Sequence, residues 1–168
     1  MPPVIRPAIE TEYAAVRHVV RAAFGQDAEA DLVEALRREG QVRLERVAES
    51  GGQVVGHVLY SALEIVGPDQ TWPALALAPL AVLPEFQSQG IGTALVEHAH
   101  TACRQAGHQI VIVLGHPAYY PRFGFSPQLA ERLDSPYAGP SFMALELSPG
   151  ALAGVSGQVV YAPPFSRF

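Results

Sequence analysis

Two short stretches hold residue types that do chemistry. The first reads Gln87-Ser88-Gln89-Gly90-Ile91-Gly92. Its glycines let the backbone turn sharply and leave N–H groups uncovered just ahead of an apolar-patterned helix. The first turn of a helix carries a partial positive charge, so a diphosphate suits such a site. Gln87 and Gln89 add neutral donors, and Thr93 adds a hydroxyl. The spacing is not the dinucleotide fingerprint, because no third glycine follows in register, and not a P-loop, because no Lys-Ser or Lys-Thr follows. The same glycines would also serve tight helix–strand packing, and the local residues leave both uses open. The second stretch, GHPAYYPRFGF from Gly115 to Phe125, follows the apolar run IVIVL directly. It concentrates four rings, two glycines, two prolines and His116 in one place.

Other reactive types are not arranged for chemistry. His98 and His100 lie two apart on a helix and face different directions, so they cannot chelate one metal as an i, i+4 pair does. No metal site is expected. Cys103, the only cysteine, reads as a small packed side chain and excludes an intramolecular disulfide. No Gly-x-Ser-x-Gly elbow is present, which argues against an α/β-hydrolase.

The elements that must position the two stretches follow from periodicity. Val4 to Pro7 suits a short first strand. Thr11 reads as an N-cap for a helix whose stripe is Ala14, Ala15, Val16, Val19, Val20 and Phe24, ended by Gly25. A second helix is expected from Ala28 to Glu39, with Leu32, Val33 and Leu36 inward. Arg43 to Glu49 and Gln53 to Ile65 form a hairpin around Ser50-Gly51-Gly52. Trp72 to Leu83 is an apolar strand, but Pro79 cannot donate to a ladder, so a bulge or break is expected near Ala78 to Leu80. Gly90 to Ala106 is a helix with Ile91, Leu95, His98 or Ala99, Ala102 and Ala106 along one face. Gln109 to Leu114 is a buried strand. Strand, helix and strand from Ala74 to Leu114 make one βαβ unit, so its two strands are expected to be parallel. Phe142 to Leu147 and Gln158 to Tyr161 read as late strands.

Composition bounds the rest. The 168 residues are 49% hydrophobic and 16% charged, which suits one folded domain over 1–168. The net charge is −5 and all eleven basic residues are arginine, with no basic run, so nothing favours nucleic acid. The N-terminus lacks the apolar segment of a signal peptide, and no apolar run reaches the ~20 residues of a membrane span. A soluble, cytoplasmic protein with no membrane partner is expected.

Leu80 to Leu95 resembles the signature of the GNAT superfamily of acyl-CoA-dependent N-acetyltransferases. Its pattern is Arg or Gln, two residues, Gly, one residue, then Gly or Ala, and Gln87, Gly90 and Gly92 fill it. Tyr120-Pro121-Arg122-Phe123-Gly124-Phe125 resembles a second family feature, and the longer run resembles a bacterial branch carrying Gly-x-Pro-x-Tyr-Tyr-x-Arg-Phe-Gly-Phe. The resemblance covers most of the chain. It implies a mixed α+β fold, a mostly antiparallel twisted sheet whose central parallel strands splay apart and are joined by a crossover helix. It implies acetyl-CoA as cosubstrate. Gln87, Ser88, Gln89, Gly90, Ile91, Gly92 and Thr93 would hold the pyrophosphate, and Leu80, Ala81 and Val82 would face the pantetheine arm. It also implies an amine acceptor, a small molecule or a peptide, and allows a homodimer through the late strands.

By the same resemblance Tyr120 is the proton donor to the leaving thiolate, since a phenol with reference pKa ~10 can supply one, and one more packed ring in an aromatic turn is the other reading of this residue. Tyr119 reads as packing or substrate wall, and Phe123 and Phe125 as core. Arg122 suits a coenzyme phosphate or a surface ion pair. Glu on the bulged strand often helps deprotonate the amine in this family, but Trp72 to Leu83 holds no Asp, Glu or His. His116, with a reference pKa near ~6.5, is then the candidate base, although capping the strand or binding a backbone carbonyl suits it somewhat better. His57 and Glu64, seven apart on one strand, should point to opposite faces. Two other readings stand beside the enzyme: a non-catalytic acyl-CoA-binding regulatory module, and a structural domain using its glycines only for packing. Leu133 to Pro140 is placed to close over the amine site.

Overall fold

The computed structural model describes residues 2–168. Strand β1 (Val4–Pro7) leads through a one-turn 3-10 helix at Glu10–Glu12 into α1 (Tyr13–Phe24) and α2 (Ala28–Arg38). The hairpin β2 (Val42–Ser50) and β3 (Gln53–Val66) follows, then β4 (Thr71–Val82), α3 (Ile91–Gln105) and β5 (Ile110–Leu114). The C-terminal part adds β6 (Leu133–Asp134), β7 (Phe142–Glu146) and β8 (Gly157–Tyr161). Thr11 lies inside the 3-10 turn and makes no cap; the side chain of Glu12 instead accepts from the Ile9 N–H at 3.2 Å. An acceptor on Glu12 is also held by Arg6, which competes better than a hydroxyl for the exposed N–H.

The sheet runs β1-β2-β3-β4-β5-β7, antiparallel along this path except for β4 beside β5, and off the path β6 pairs in parallel with β8. The first half of β3 pairs with β2, and its second half, from Leu63 to Val66, pairs with β8, which continues the same edge. Side-chain alternation along β3 divides the layers. Gly56 packs beneath Leu95 and Ile91 of α3, and Tyr60 meets His100 of α3 edge-to-face. His57 and Leu59 point the other way, toward Arg37–Glu45 and toward the α2 residues Leu32, Val33 and Leu36.

The inward face of α3 is Ile91, Leu95, Val96, Ala99, His100 and Cys103. The expected stripe is therefore rotated: His98 and Ala106 are exposed, and His100 is buried. Ala102 and Ala106 have little area to bury, so Val96, Cys103 and the His100 ring set the seam.

One feature of β4 prepares the site. Tyr60 pairs with Leu77 and Val58 with Leu80, so Ala78 and Pro79 together oppose the single residue Leu59. The bulge falls where Pro79 removes a ladder donor.

Candidate active site between two diverging strands

β4 and β5 pair only at Leu75–Val111 and Ala76–Ile112. Beyond them β4 runs on to Val82 and β5 to Leu114 without pairing to each other, and a gap opens. A cavity of about 880 Å³ occupies this gap. The bulge drives the divergence, because it turns the Leu77–Val82 half of β4 away from its neighbour and leaves backbone groups unpaired.

The glycine turn closes one end. Gly90 has φ +85° and Ser88 φ +62°, so the chain enters α3 through two left-handed residues. α3 then starts with the N–H groups of its first turn free of intrahelical partners, as every helix does. Gly92 stands where a Cβ would lie 3.3 Å from the Tyr119 hydroxyl and 3.8 Å from Leu80 and Val82. The Gln87 amide donates to the Val82 carbonyl at 3.0 Å, which ties the turn to the end of β4. Leu80, Val82, Gln87, Ser88, Gly90, Ile91, Gly92 and Thr93 all line the cavity. Ala81 is buried on the other side of β4, and the Gln89 amide reaches back to the Glu85 carbonyl, so these two lie outside the lining.

The Gly115–Phe125 stretch closes the other end. The N–H groups of Tyr119 and Tyr120 bond to the His116 carbonyl at 3.0 and 3.3 Å, and a 3-10 turn, Tyr120–Phe123, ends at Gly124 with φ +101°. Tyr120 is only 9% exposed and is gripped edge-on by Tyr119 at 5.1 Å and Phe125 at 5.7 Å. Burial, then the neighbouring Tyr119, push its phenol up to about 12, so it carries its proton at any working pH. Tyr119 reaches across the cleft, its hydroxyl 3.1 Å from Thr93 Oγ1. Arg122 stacks over the Tyr119 ring at 4.3 Å, donates to the Tyr119 carbonyl at 2.8 Å, forms no ion pair among the described residues and stands at the cavity wall. His116 is exposed at the mouth, and its ring has no hydrogen-bond partner among the described residues.

Three lining residues come from the helical hairpin: Phe24, Glu29 and Leu32. The helical pattern assigned Phe24 to a packed stripe, yet 42% of it is exposed and it faces the cavity. Glu29 is the one carboxylate in the wall among the described residues. Nothing in its local sequence marks it; only the packing of α1 and α2 brings it to the gap. His57 and Glu64 do not reach the cavity. His57 is fully buried and shares its Nε2 proton with Glu45 at 2.6 Å. Burial holds its pKa below the usual histidine range despite that carboxylate, so the ring is neutral. No group of described His, Cys, Asp or Glu residues is arranged to hold a metal ion. No described helix is long and apolar enough to cross a membrane.

The model of the acetyltransferase (GNAT) domain matches residues 4–128. The chain is 36% identical over 167 residues to an uncharacterized N-acetyltransferase, YhbS, of Escherichia coli strain K12, covering 98% of this chain and 99% of that protein. The crystal structure of YhbS from Escherichia coli in complex with CoA matches with a TM-score of 0.93 at 34% identity, covering 100% of this chain and 94% of the other. A GNAT acetyltransferase from Brucella melitensis in complex with acetyl-CoA matches with a TM-score of 0.80 at 33% identity, covering 97% of each chain.

Proposed function

The chain belongs to the GNAT family and is an N-acetyltransferase; on that premise we propose that it moves the acetyl group of acetyl-CoA to a primary amine by direct attack in a ternary complex. The observation that carries this reading is the gap beyond Ala76 and Ile112, bounded by a glycine-opened helix start at one end and a protonated tyrosine at the other. The helix start suits a pyrophosphate, through the backbone amides from Gln89 to Thr93 and the α3 dipole. The unpaired edge at Leu80–Val82 offers backbone groups to the pantetheine arm, and an N–H near Val82 polarises the thioester carbonyl. The binding of CoA by YhbS and of acetyl-CoA by the Brucella enzyme supports this assignment.

In the reaction the amine lone pair attacks the thioester carbon, the C–N bond forms and the C–S bond breaks. Tyr120 gives its proton to the departing sulfur, and the proton that the adduct nitrogen must lose to become the amide restores the phenol. Its raised pKa keeps the donor form populated, and transfer to a thiol of reference pKa ~8.5, uphill by itself, is coupled to the loss of the proton from the acidic adduct nitrogen. The ammonium form of the acceptor must first lose a proton. His116 at the mouth takes it, in place of a carboxylate on β4. Glu29 draws the cationic acceptor toward the gap.

The rival reading is a non-catalytic acyl-CoA-binding module, favoured by the lack of a carboxylate on β4; Glu29 in the wall weakens that support. Coenzyme A at ~100 Kd should stabilise either by about 2.7 kcal/mol in a melting scan, whereas a structural domain would not respond. Thiol release with a panel of amines then separates enzyme from module: the proposal expects turnover with at least one amine, and tight binding without any turnover would refute it.

A further inference from the structure

A second cavity opens on the α2 face of the same strands. It holds about 250 Å³ and is lined by Ala76, Leu77, Ala78, Ile112, Leu114, Tyr137, Tyr161, Phe165 and Phe168. Leu77, Ala78 and Leu114 also line the large cavity, so the two meet at the mouth of the gap. Phe165 further packs against the cluster containing Leu32, another wall residue of the large cavity. Four of the nine lining residues are aromatic and none has a charged side chain. Tyr161 holds the box together, edge-to-face with Tyr137 at 6.0 Å and tilted against Phe165 at 5.2 Å. The rim is unusually apolar for an open surface: Leu114, Tyr137 and Phe168 are 50%, 49% and 51% exposed. Large side chains left half-exposed around one cavity mark a binding site rather than a core.

We propose that this aromatic box seats the body of the acceptor, and that the acceptor is an amine whose remainder is apolar or aromatic and uncharged. The inference rests on the acetyltransferase reading and adds the substrate class. The volume equals about eight waters, the bulk of one ring with a short chain. An acceptor so seated reaches the thioester through the Leu77–Ala78–Leu114 opening, opposite the glycine turn. A carboxylate or a second ammonium would have to be desolvated against rings that offer only the Tyr137 and Tyr161 hydroxyls. Charged amines are thereby selected against, while rings and short alkyl chains gain area buried from water.

The test compares 2-phenylethylamine, phenylalanine and spermidine as acceptors for the full chain with saturating acetyl-CoA. The expected result is a kcat/KM for 2-phenylethylamine at least tenfold above either charged amine. Tyr137→Ala and Phe168→Ala, both at half-exposed positions, should raise the KM for 2-phenylethylamine about tenfold and leave the KM for acetyl-CoA unchanged. A preference for phenylalanine or spermidine, or no response of the amine KM to either variant, overturns the proposal. Equilibrium dialysis of 2-phenylethylamine against the coenzyme A-saturated protein separates the two levels. If no amine turns over but 2-phenylethylamine binds and Tyr137→Ala abolishes binding, the box is a ligand site and the acetyltransferase reading fails. If 2-phenylethylamine does not bind at millimolar concentration, or if a second copy of the chain covers the rim in solution, the inference fails.

Discussion

The Tyr120 ring occupies the space where a side chain on Gly115 would stand. A Cβ at residue 115 would collide with Tyr120 Cε2 and stand 2.8 Å from Cδ2. The first residue after β5 is thus a glycine because the candidate donor occupies the space a side chain would need. Gly115→Ala should tilt Tyr120 away from the gap. We expect a fall in kcat of tenfold or more, with the coenzyme A-induced rise in Tm retained, because the glycine turn is untouched. Full activity in Gly115→Ala would mean that the ring position does not matter.

Tyr119 links the two ends of the cleft through its hydroxyl, 3.1 Å from Thr93 Oγ1. Tyr119→Phe keeps the rings packed and removes that bond. A single hydrogen bond is worth about 1 kcal/mol, so the KM for acetyl-CoA should rise about fivefold while kcat changes little. Isothermal titration with coenzyme A checks the same effect without turnover. An unchanged affinity would assign Tyr119 to packing alone.

The left-handed conformation of Gly90, φ +85°, makes a second, independent prediction for the turn. Open space surrounds its Cβ position, so Gly90→Ala meets strain and no clash. The strain costs about 1–2 kcal/mol. Chemical denaturation should show that loss, and the affinity for coenzyme A should fall with it as the α3 amides shift. A loss of affinity at unchanged stability would point to direct contact instead.

Buried titratable groups set the acid limit of stability. Burial would raise Glu45, but hydrogen bonds from His57 and Arg37 outweigh it and hold the carboxyl at about 2 instead of 4.5. A lowered carboxyl stabilises the fold above its unfolded value and loses that contribution as pH falls from about 4.5 toward 2. The difference is worth roughly 3 kcal/mol. His100 is held down to about 4 by burial and then by Arg104, between the rings of Tyr60, Phe123 and Phe125. A lowered histidine binds its proton more readily unfolded, so stability also falls as pH drops from about 6.5 to 4. Denaturant titrations from pH 7 to pH 3 should show both windows. In Glu45→Gln the lower one should vanish; its persistence would assign the acid loss elsewhere.

Much of this was legible in the sequence. Pro79 alone indicated where β4 would break, and the bulge opposite Leu59 lies there. Gly90 and Gly92 announced the turn, and the IVIVL run announced β5. The misses share one cause. Phe24 and Glu29 have ordinary helical surroundings, and only the packing of α1 and α2 on the sheet brings them to the gap. His100 reads as polar, yet it fills a slot between three rings, which no local pattern encodes. The aromatic box draws on β4, β5, the segment around Tyr137 and the last eight residues, so its members are separated by up to ninety positions or so. Periodicity reports which face a residue takes within one element and is silent on which elements converge.

The most direct measurement is steady-state thiol release by Tyr120→Phe against the unaltered protein, with acetyl-CoA and an accepted amine. The phenylalanine ring keeps the contacts to Tyr119 and Phe125 and removes only the donor. General acid catalysis contributes about 10²–10⁴-fold, so kcat should fall at least ~100-fold with the coenzyme A melting shift unchanged. A variant that keeps full kcat would contradict Tyr120 as the donor to the departing thiolate.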